Sequence, residues 1–170
     1  MKSTQLPVVY VSVGSNIDPR LHIKRALQQL RKDFLRVQVS SVYESRSVGF
    51  KGDNFLNLIV SFESSLTVGE LNQYLHNLED VEGRERLNGK AWDSRTLDLD
   101  IVLFGKKLGY FDGVELPRGE ILEHAHVLLP LAEIASHVIH EPTKKSYEQL
   151  CADLSKKLEF TQQQIWKVKF

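Results

Sequence analysis

The apolar positions of this chain recur with two different periods. Val8 to Val13 is an unbroken β-branched and aromatic run, which predicts a strand buried on both faces. Ile23, Ala26, Leu27, Leu30 and Phe34 follow at helical spacing, with Arg20, Lys24, Arg25, Arg31 and Lys32 as the polar face. Asp18-Pro19 opens that helix as N-cap and first helical position. Val37 to Tyr43 alternates weakly and predicts a second strand, and Phe55 to Phe62 a third. Glu44 to Asn54 between them is polar, with Gly49 and Gly52, and reads as a mobile loop. Thr67-Val68-Gly69-Glu70 is a capping box, and Leu71, Leu75 and Leu78 carry the helix it starts. A fourth strand is expected over Thr96 to Phe104. A glycine-rich hairpin follows from Lys106 to Gly119, with Tyr110 and Phe111 at its tip. Val127 to Ile134, interrupted by Pro130, starts a short helix, and Ser146 to Leu158 is a last amphipathic one.

Strand, helix, strand, strand, helix, strand is the split βαβ order. We therefore expect residues 1–170 to form one α+β domain, a ferredoxin-like βαββαβ sheet with C-terminal additions. Both helices would pack on one sheet face and leave the other free for ligands. Fold alone carries no chemistry.

The chemistry enters with the fourth strand. Leu97, Leu99 and Ile101 face one side, Asp98 and Asp100 the other, with Cα atoms ~6.7 Å apart. Paired carboxylates on a strand repel and go against strand preference. Bound cations would relieve them, and Mg²⁺ is commonly held by one or two carboxylates plus substrate phosphates. Arg84, Arg86 and Arg95 lie just upstream, with planar forks suited to phosphate oxygens. Taken singly, a two-Asp alternation is often only a polar face and an Arg-x-Arg only a solvated surface. Together they suggest phosphoryl transfer. Asn57, inside an apolar run, is either bonded to neighbouring backbone or a ligand contact. Gly14-Ser15-Asn16 lacks the full phosphate-binding fingerprint and reads as a plain turn.

Composition narrows the classes. The 170 residues carry no formal net charge, which disfavours a broad nucleic-acid surface. A ferredoxin-like RNA-binding module is disfavoured for the same reason and by the acid pair. The one cysteine, Cys151, excludes an internal disulfide and a cysteine-rich zinc site. With no signal-peptide pattern and no run near the ~20 apolar residues of a membrane span, the expectation is a cytoplasmic protein that does not engage membranes.

Arg95-Thr96-Leu97-Asp98-Leu99-Asp100-Ile101, with Gly83-Arg84-Glu85-Arg86 and Trp92 before it, resembles the signature of the 6-hydroxymethyl-7,8-dihydropterin pyrophosphokinases of folate biosynthesis. The resemblance extends to Gly14-Ser15-Asn16, Ser40-Ser41-Val42-Tyr43, Phe55-Leu56-Asn57 and the block from Val127 to Ala135. It implies a ferredoxin-like fold and transfer of diphosphate from ATP to the hydroxymethyl oxygen of a reduced pterin, releasing AMP. It also implies two Mg²⁺ ions, held by Asp98 and Asp100, with Arg84 and Arg95 as catalytic phosphate clamps. Glu79, Arg84, Arg86, Trp92, Arg95, Ile101, Arg118 and His124 would meet ATP. Ser45, Val48, Phe55, Asn57, Trp92 and His126 would meet the pterin. The partners would be these small molecules alone, and the protein a monomer.

The chain also departs from the family pattern. Trp92-Asp93-Ser94-Arg95 stands where Trp-Gly-Pro-Arg is usual, and the loop Ser45-Arg46-Ser47-Val48-Gly49 lacks the usual prolines. Pro117-Arg118 and His124-Ala125-His126 replace a Pro-His followed by an Arg and a Phe. The alternative these changes support is a divergent paralogue that binds pterin or nucleotide without efficient transfer. For the rearranged segment, Arg118 is expected to take over phosphate binding. His126 is expected to line the pterin end and titrate near pH ~6.5. His124-x-His126 as a transition-metal pair is weak without a third ligand.

Overall fold

The computed structural model describes residues 5–47, 52–83 and 95–170. The long apolar run forms β1 (Val8–Ser15). Helix α1 (Pro19–Asp33) follows, opened by Pro19 at its first turn. Asp18 departs from expectation: its φ is 41° and its side chain makes no cap hydrogen bond, so proline geometry alone starts the helix. The predicted second strand is two strands, β2 (Leu35–Val39) and β3 (Val42–Ser45). Ser40 makes the break, its Oγ accepting from the Ile59 amide at 2.9 Å and donating to the Ser41 carbonyl at 2.8 Å. Each piece pairs with a different half of β4 (Phe55–Glu63).

Helix α2 (Val68–Val81) carries the expected capping box between Thr67 and Glu70. The acid strand is β5 (Asp98–Phe104). The hairpin is β6 (Gly109–Phe111) and β7 (Val114–Leu116), turning at Asp112-Gly113, with Tyr110 77% exposed. A 3₁₀ turn (Gly119–Leu122) leads to α3 (Ala125–Ile134), which contains Pro130. A two-residue ribbon, β8 (Ile139–His140) and β9 (Lys145–Ser146), precedes α4 (Tyr147–Leu154). A second capping box, Ser146 with Gln149, opens α4, which is shorter than its apolar pattern predicts. The short α5 (Leu158–Thr161) and a strand the pattern missed, β10 (Ile165–Val168), close the described chain.

The main sheet runs β10-β3-β4-β1-β5, with β2 also on β4, and its pairings are antiparallel. Helices α1 and α2 lie on one face. Ile23, Leu30, Leu71 and Leu75 pack there with Val9, Val11, Val13, Leu58 and Leu99 in one cluster. The opposite face is not free, as the element order suggested. Ile59 and Val102 are buried there under Leu128 and Leu131 of α3 and Tyr147 and Leu150 of α4. This second cluster takes only one end of the face. Strand β1 is correspondingly one-sided, with Val9, Val11 and Val13 buried and Tyr10 and Ser12 only half-buried. Among the described residues, no helix is long and apolar enough to cross a membrane.

Candidate active site

The strand register builds a polar row across the uncovered end of that face. Tyr43 pairs with Asn57, Asn57 with Gly14, and Gly14 with Asp98. One row deeper, Ser12 stands between Ile59 and Asp100. At the usual strand spacing, Asn57 and Asp98 are about 10 Å apart with Gly14 between them. A Cβ on Gly14 would sit 3.6 Å from Asn57 Oδ1 and 4.0 Å from Asp98 Cβ. The glycine thus leaves a trough between an amide and a carboxylate.

On the acid side, Asp98 accepts from the Arg95 guanidinium. Asp100 Oδ1 lies 3.2 Å from Arg118 Nη1, whose Nε is 3.3 Å from Glu120 Oε2. Burial, then the Asp98 charge, raise the Asp100 carboxyl to about 6, and Arg118 only partly opposes them. A carboxylate pair held at this electrostatic cost fits a hard divalent cation. Among the described residues, no three His, Cys, Asp or Glu side chains converge as a metal cage. A cation here would therefore complete its shell with water and phosphate oxygens. Glu79 of α2 is fully buried, and its Oε1 accepts from the Leu99 amide at 2.7 Å. It therefore meets the strand at the residue between the two aspartates and adds to the charge that raises Asp100.

Sequence reasoning missed the clasp that sets Arg95. Ser15 Oγ donates to the Thr96 carbonyl at 2.5 Å. Asn16 donates its amide N–H to the Arg95 carbonyl at 3.0 Å and accepts from the Arg95 amide at 2.7 Å. Its Nδ2 reaches the Asp53 carbonyl at 3.3 Å. Gly14-Ser15-Asn16 is therefore no plain turn; its buried polar side chains join the start of the acid strand to the stem of β4. The available signal was two polar residues directly after a buried strand.

On the other side, Asn57 is 6% exposed, and its Nδ2 donates to Ser45 Oγ at 2.8 Å and to the Phe55 carbonyl at 3.4 Å. Its amide nitrogen is tied to neighbours while its carbonyl oxygen looks toward the Gly14 trough. The His124 and His126 rings stack at 5.1 Å and 22° where α3 begins. Burial, then His124, push the His126 imidazole down to about 4, against Glu120 and Asp98. Both causes set it below the expected titration near 6.5. The Ile101 side chain is 1% exposed in the helix-side cluster, on the face opposite Asp98 and Asp100. Val48, Arg84, Arg86 and Trp92 lie outside the described residues.

Comparison with known proteins agrees with this chemistry. Residues 10–136 match the family described as 7,8-dihydro-6-hydroxymethylpterin-pyrophosphokinase (HPPK). The 2-amino-4-hydroxy-6-hydroxymethyldihydropteridine pyrophosphokinase of Bacillus subtilis is 34% identical, over 84% of this chain and 86% of its own. Its Aquifex aeolicus counterpart is 31% identical, over 85% and 90%. Among solved structures, Plasmodium falciparum HPPK-DHPS A437G with SDX-DHP superposes with a TM-score of 0.60 at 12% identity. That likeness is one of fold; it covers 88% of this chain and 43% of the larger one.

Proposed function

The chain belongs to the 7,8-dihydro-6-hydroxymethylpterin-pyrophosphokinase family, and we propose that the polar end of its sheet face is where the family's reaction takes place. The protein is an ATP-dependent diphosphokinase that moves diphosphate from ATP to the hydroxymethyl group of a dihydropterin. One observation carries the placement: the row Asn57–Gly14–Asp98 sets a hydrogen-bonding amide opposite a carboxylate pair, with only a glycine between them.

In this reading Asn57 bonds the pterin edge, fixed by Ser45, and Phe55 supports the ring. Asp98 and Asp100 would hold two Mg²⁺ ions, which would supply charge neutralisation for the polyphosphate. Arg95, set by Asn16, and Arg118, beside Asp100, serve the phosphates. The family resemblance adds Arg84, Arg86, Trp92 and His124 for the nucleotide, and Val48, Trp92 and His126 for the pterin. Glu79 acts from behind, through the strand. The hydroxymethyl oxygen bonds to the β-phosphorus as the bond to the α-phosphate oxygen breaks; AMP leaves and the hydroxyl proton passes to solvent. No side chain is assigned as base; positioning and charge stabilisation supply the catalysis.

The core strand order β3-β4-β1-β5, with a helix after β1 and another after β4, supports the ferredoxin-like topology. One domain, a monomer and a cytoplasmic location complete the proposal. The test is AMP release from ATP, Mg²⁺ and 6-hydroxymethyl-7,8-dihydropterin by wild type, Asn57→Ala and Asp98→Ala. Wild type turns over and both variants lose most activity. Undiminished activity in both would place the site elsewhere.

A further inference from the structure

The last strand is joined to the pterin half of the site through side chains as well as backbone. Strand β10 pairs antiparallel with β3, setting Trp166 opposite Glu44 and Ile165 opposite Ser45. Glu44 Oε2 accepts from Trp166 Nε1 at 3.2 Å, and its Oε1 accepts from Asn54 Nδ2 at 2.9 Å. Asn54 directly precedes Phe55, and Ser45 directly follows Glu44 and holds Asn57. One side chain therefore pins both stems of the β3–β4 connection and ties them to β10. A second tie supports the same strands. Lys167 Nζ lies 2.8 Å from Glu133 Oε1, which accepts from Tyr43 Oη at 2.5 Å, and Tyr43 is the register neighbour of Asn57.

We propose that Glu44 is a positioning residue for the pterin, acting by locking β10 and the start of β4 to the strand that carries Ser45. The proposal rests on the reading above, in which Phe55 and Asn57 meet the pterin. Both hydrogen-bond donors to Glu44 are neutral, so the carboxylate works through its two acceptor oxygens rather than as an ion pair. A glutamine keeps the length but offers only one acceptor oxygen, so it must release one partner. Asp98 and the nucleotide side lie on β5, at the far end of the sheet order from β10. The effect is therefore confined to the pterin.

Steady-state kinetics with each substrate varied, together with fluorescence titration of pterin binding, test it in Glu44→Ala, Glu44→Gln and Trp166→Phe. Losing both bonds in Glu44→Ala raises the KM and Kd for pterin about tenfold, with the KM for ATP and kcat within about twofold. Glu44→Gln and Trp166→Phe each give about threefold in the same direction. The double variant Glu44→Gln/Trp166→Phe gives less than the product of the two, because the groups share one bond. An unchanged pterin KM in Glu44→Ala, or equal shifts for both substrates, overturns the proposal. Should Glu44→Ala fail to fold, the two conservative variants decide by the same criterion. Asn57→Ala tests the reading beneath. If it leaves pterin KM unmoved, that reading falls and the proposal with it; if it moves pterin KM and the Glu44 variants do not, the proposal alone falls.

Discussion

Two ends of one sheet face have opposite fates in this protein. At one end Ile59 and Val102 are sealed under α3 and α4, with Leu128, Leu131 and Tyr147 filling the layer. At the other, the same strands β4, β1 and β5 present Asn57, Gly14, Asp98 and Asp100. The backbone pairing is continuous across both, so residue chemistry alone divides them. Apolar side chains gain by drawing a helix onto the sheet. A carboxylate pair would be penalised under such a helix. The apolar layer of α3 and α4 therefore covers the other end, while Arg118 and the start of α3 border the acids.

The two ends therefore answer to mutation in different ways. The largest effect is on chemistry. Asp100→Ala lowers kcat/KM by about 10²–10³-fold, the usual consequence of losing one charge-stabilising contact. It leaves the melting temperature unchanged or higher, because it removes a carboxyl that burial and Asp98 raise to about 6. Activity assays beside thermal melts check both halves. Leu128→Ala, at the sealed end, is the converse. It costs about 2–5 kcal/mol of stability, as buried leucine truncations do. It keeps kcat/KM within about twofold where the protein remains folded. A Leu128 variant that is stable but inactive would show the two ends to be one functional unit.

Gly14 sharpens the comparison because it lies in the trough itself. An alanine meets only ordinary contacts, at 3.6 Å to Asn57 Oδ1 and 4.0 Å to Asp98 Cβ. Gly14→Ala should therefore change stability by less than about 1 kcal/mol, and alanine is if anything the better strand residue. It fills space the substrate needs and lowers kcat/KM about tenfold. Equal losses of stability and activity would mean that the glycine serves the fold alone.

What was legible in the sequence follows from what periodicity can encode. The alternation from Leu97 to Ile101 placed the acids on one face and Ile101 on the other. The structure agrees with the alternation, with the Ile101 side chain in the helix-side cluster. The α2 capping box was legible because it is local. The covering of the second face was not. An amphipathic helix such as α4 announces that it will be buried but not against what. Strand β10 is four residues long and owes its place to its pairing with β3. The Ser15–Asn16 clasp and the Glu79 bond to Leu99 escaped because buried polar residues have no period. Their partners lie 81, 79 and 20 residues away in sequence.

The smallest effect is a pair of opposed pH slopes within the open end. In the metal-free protein, kept so with chelator, Asp100 titrates at about 6 when folded, against about 3.9 unfolded. Between those values the folded state binds more protons, so the Asp100 contribution to stability falls as pH rises from about 4 to about 6. His126 runs the other way. Its folded value is about 4 against about 6.5 unfolded, so the unfolded state binds more protons. Its contribution rises as pH goes from about 4 to about 6.5. The slopes largely cancel in wild type. Denaturant melts across this range should reveal each in a difference profile. Relative to wild type, Asp100→Asn gains stability with rising pH, and His126→Gln loses it. A flat Asp100 difference would mean that Arg118, 3.2 Å away, fully offsets burial and Asp98. The acid pair would then be an ordinary ion-pair network, without the electrostatic cost that fits it to a divalent cation.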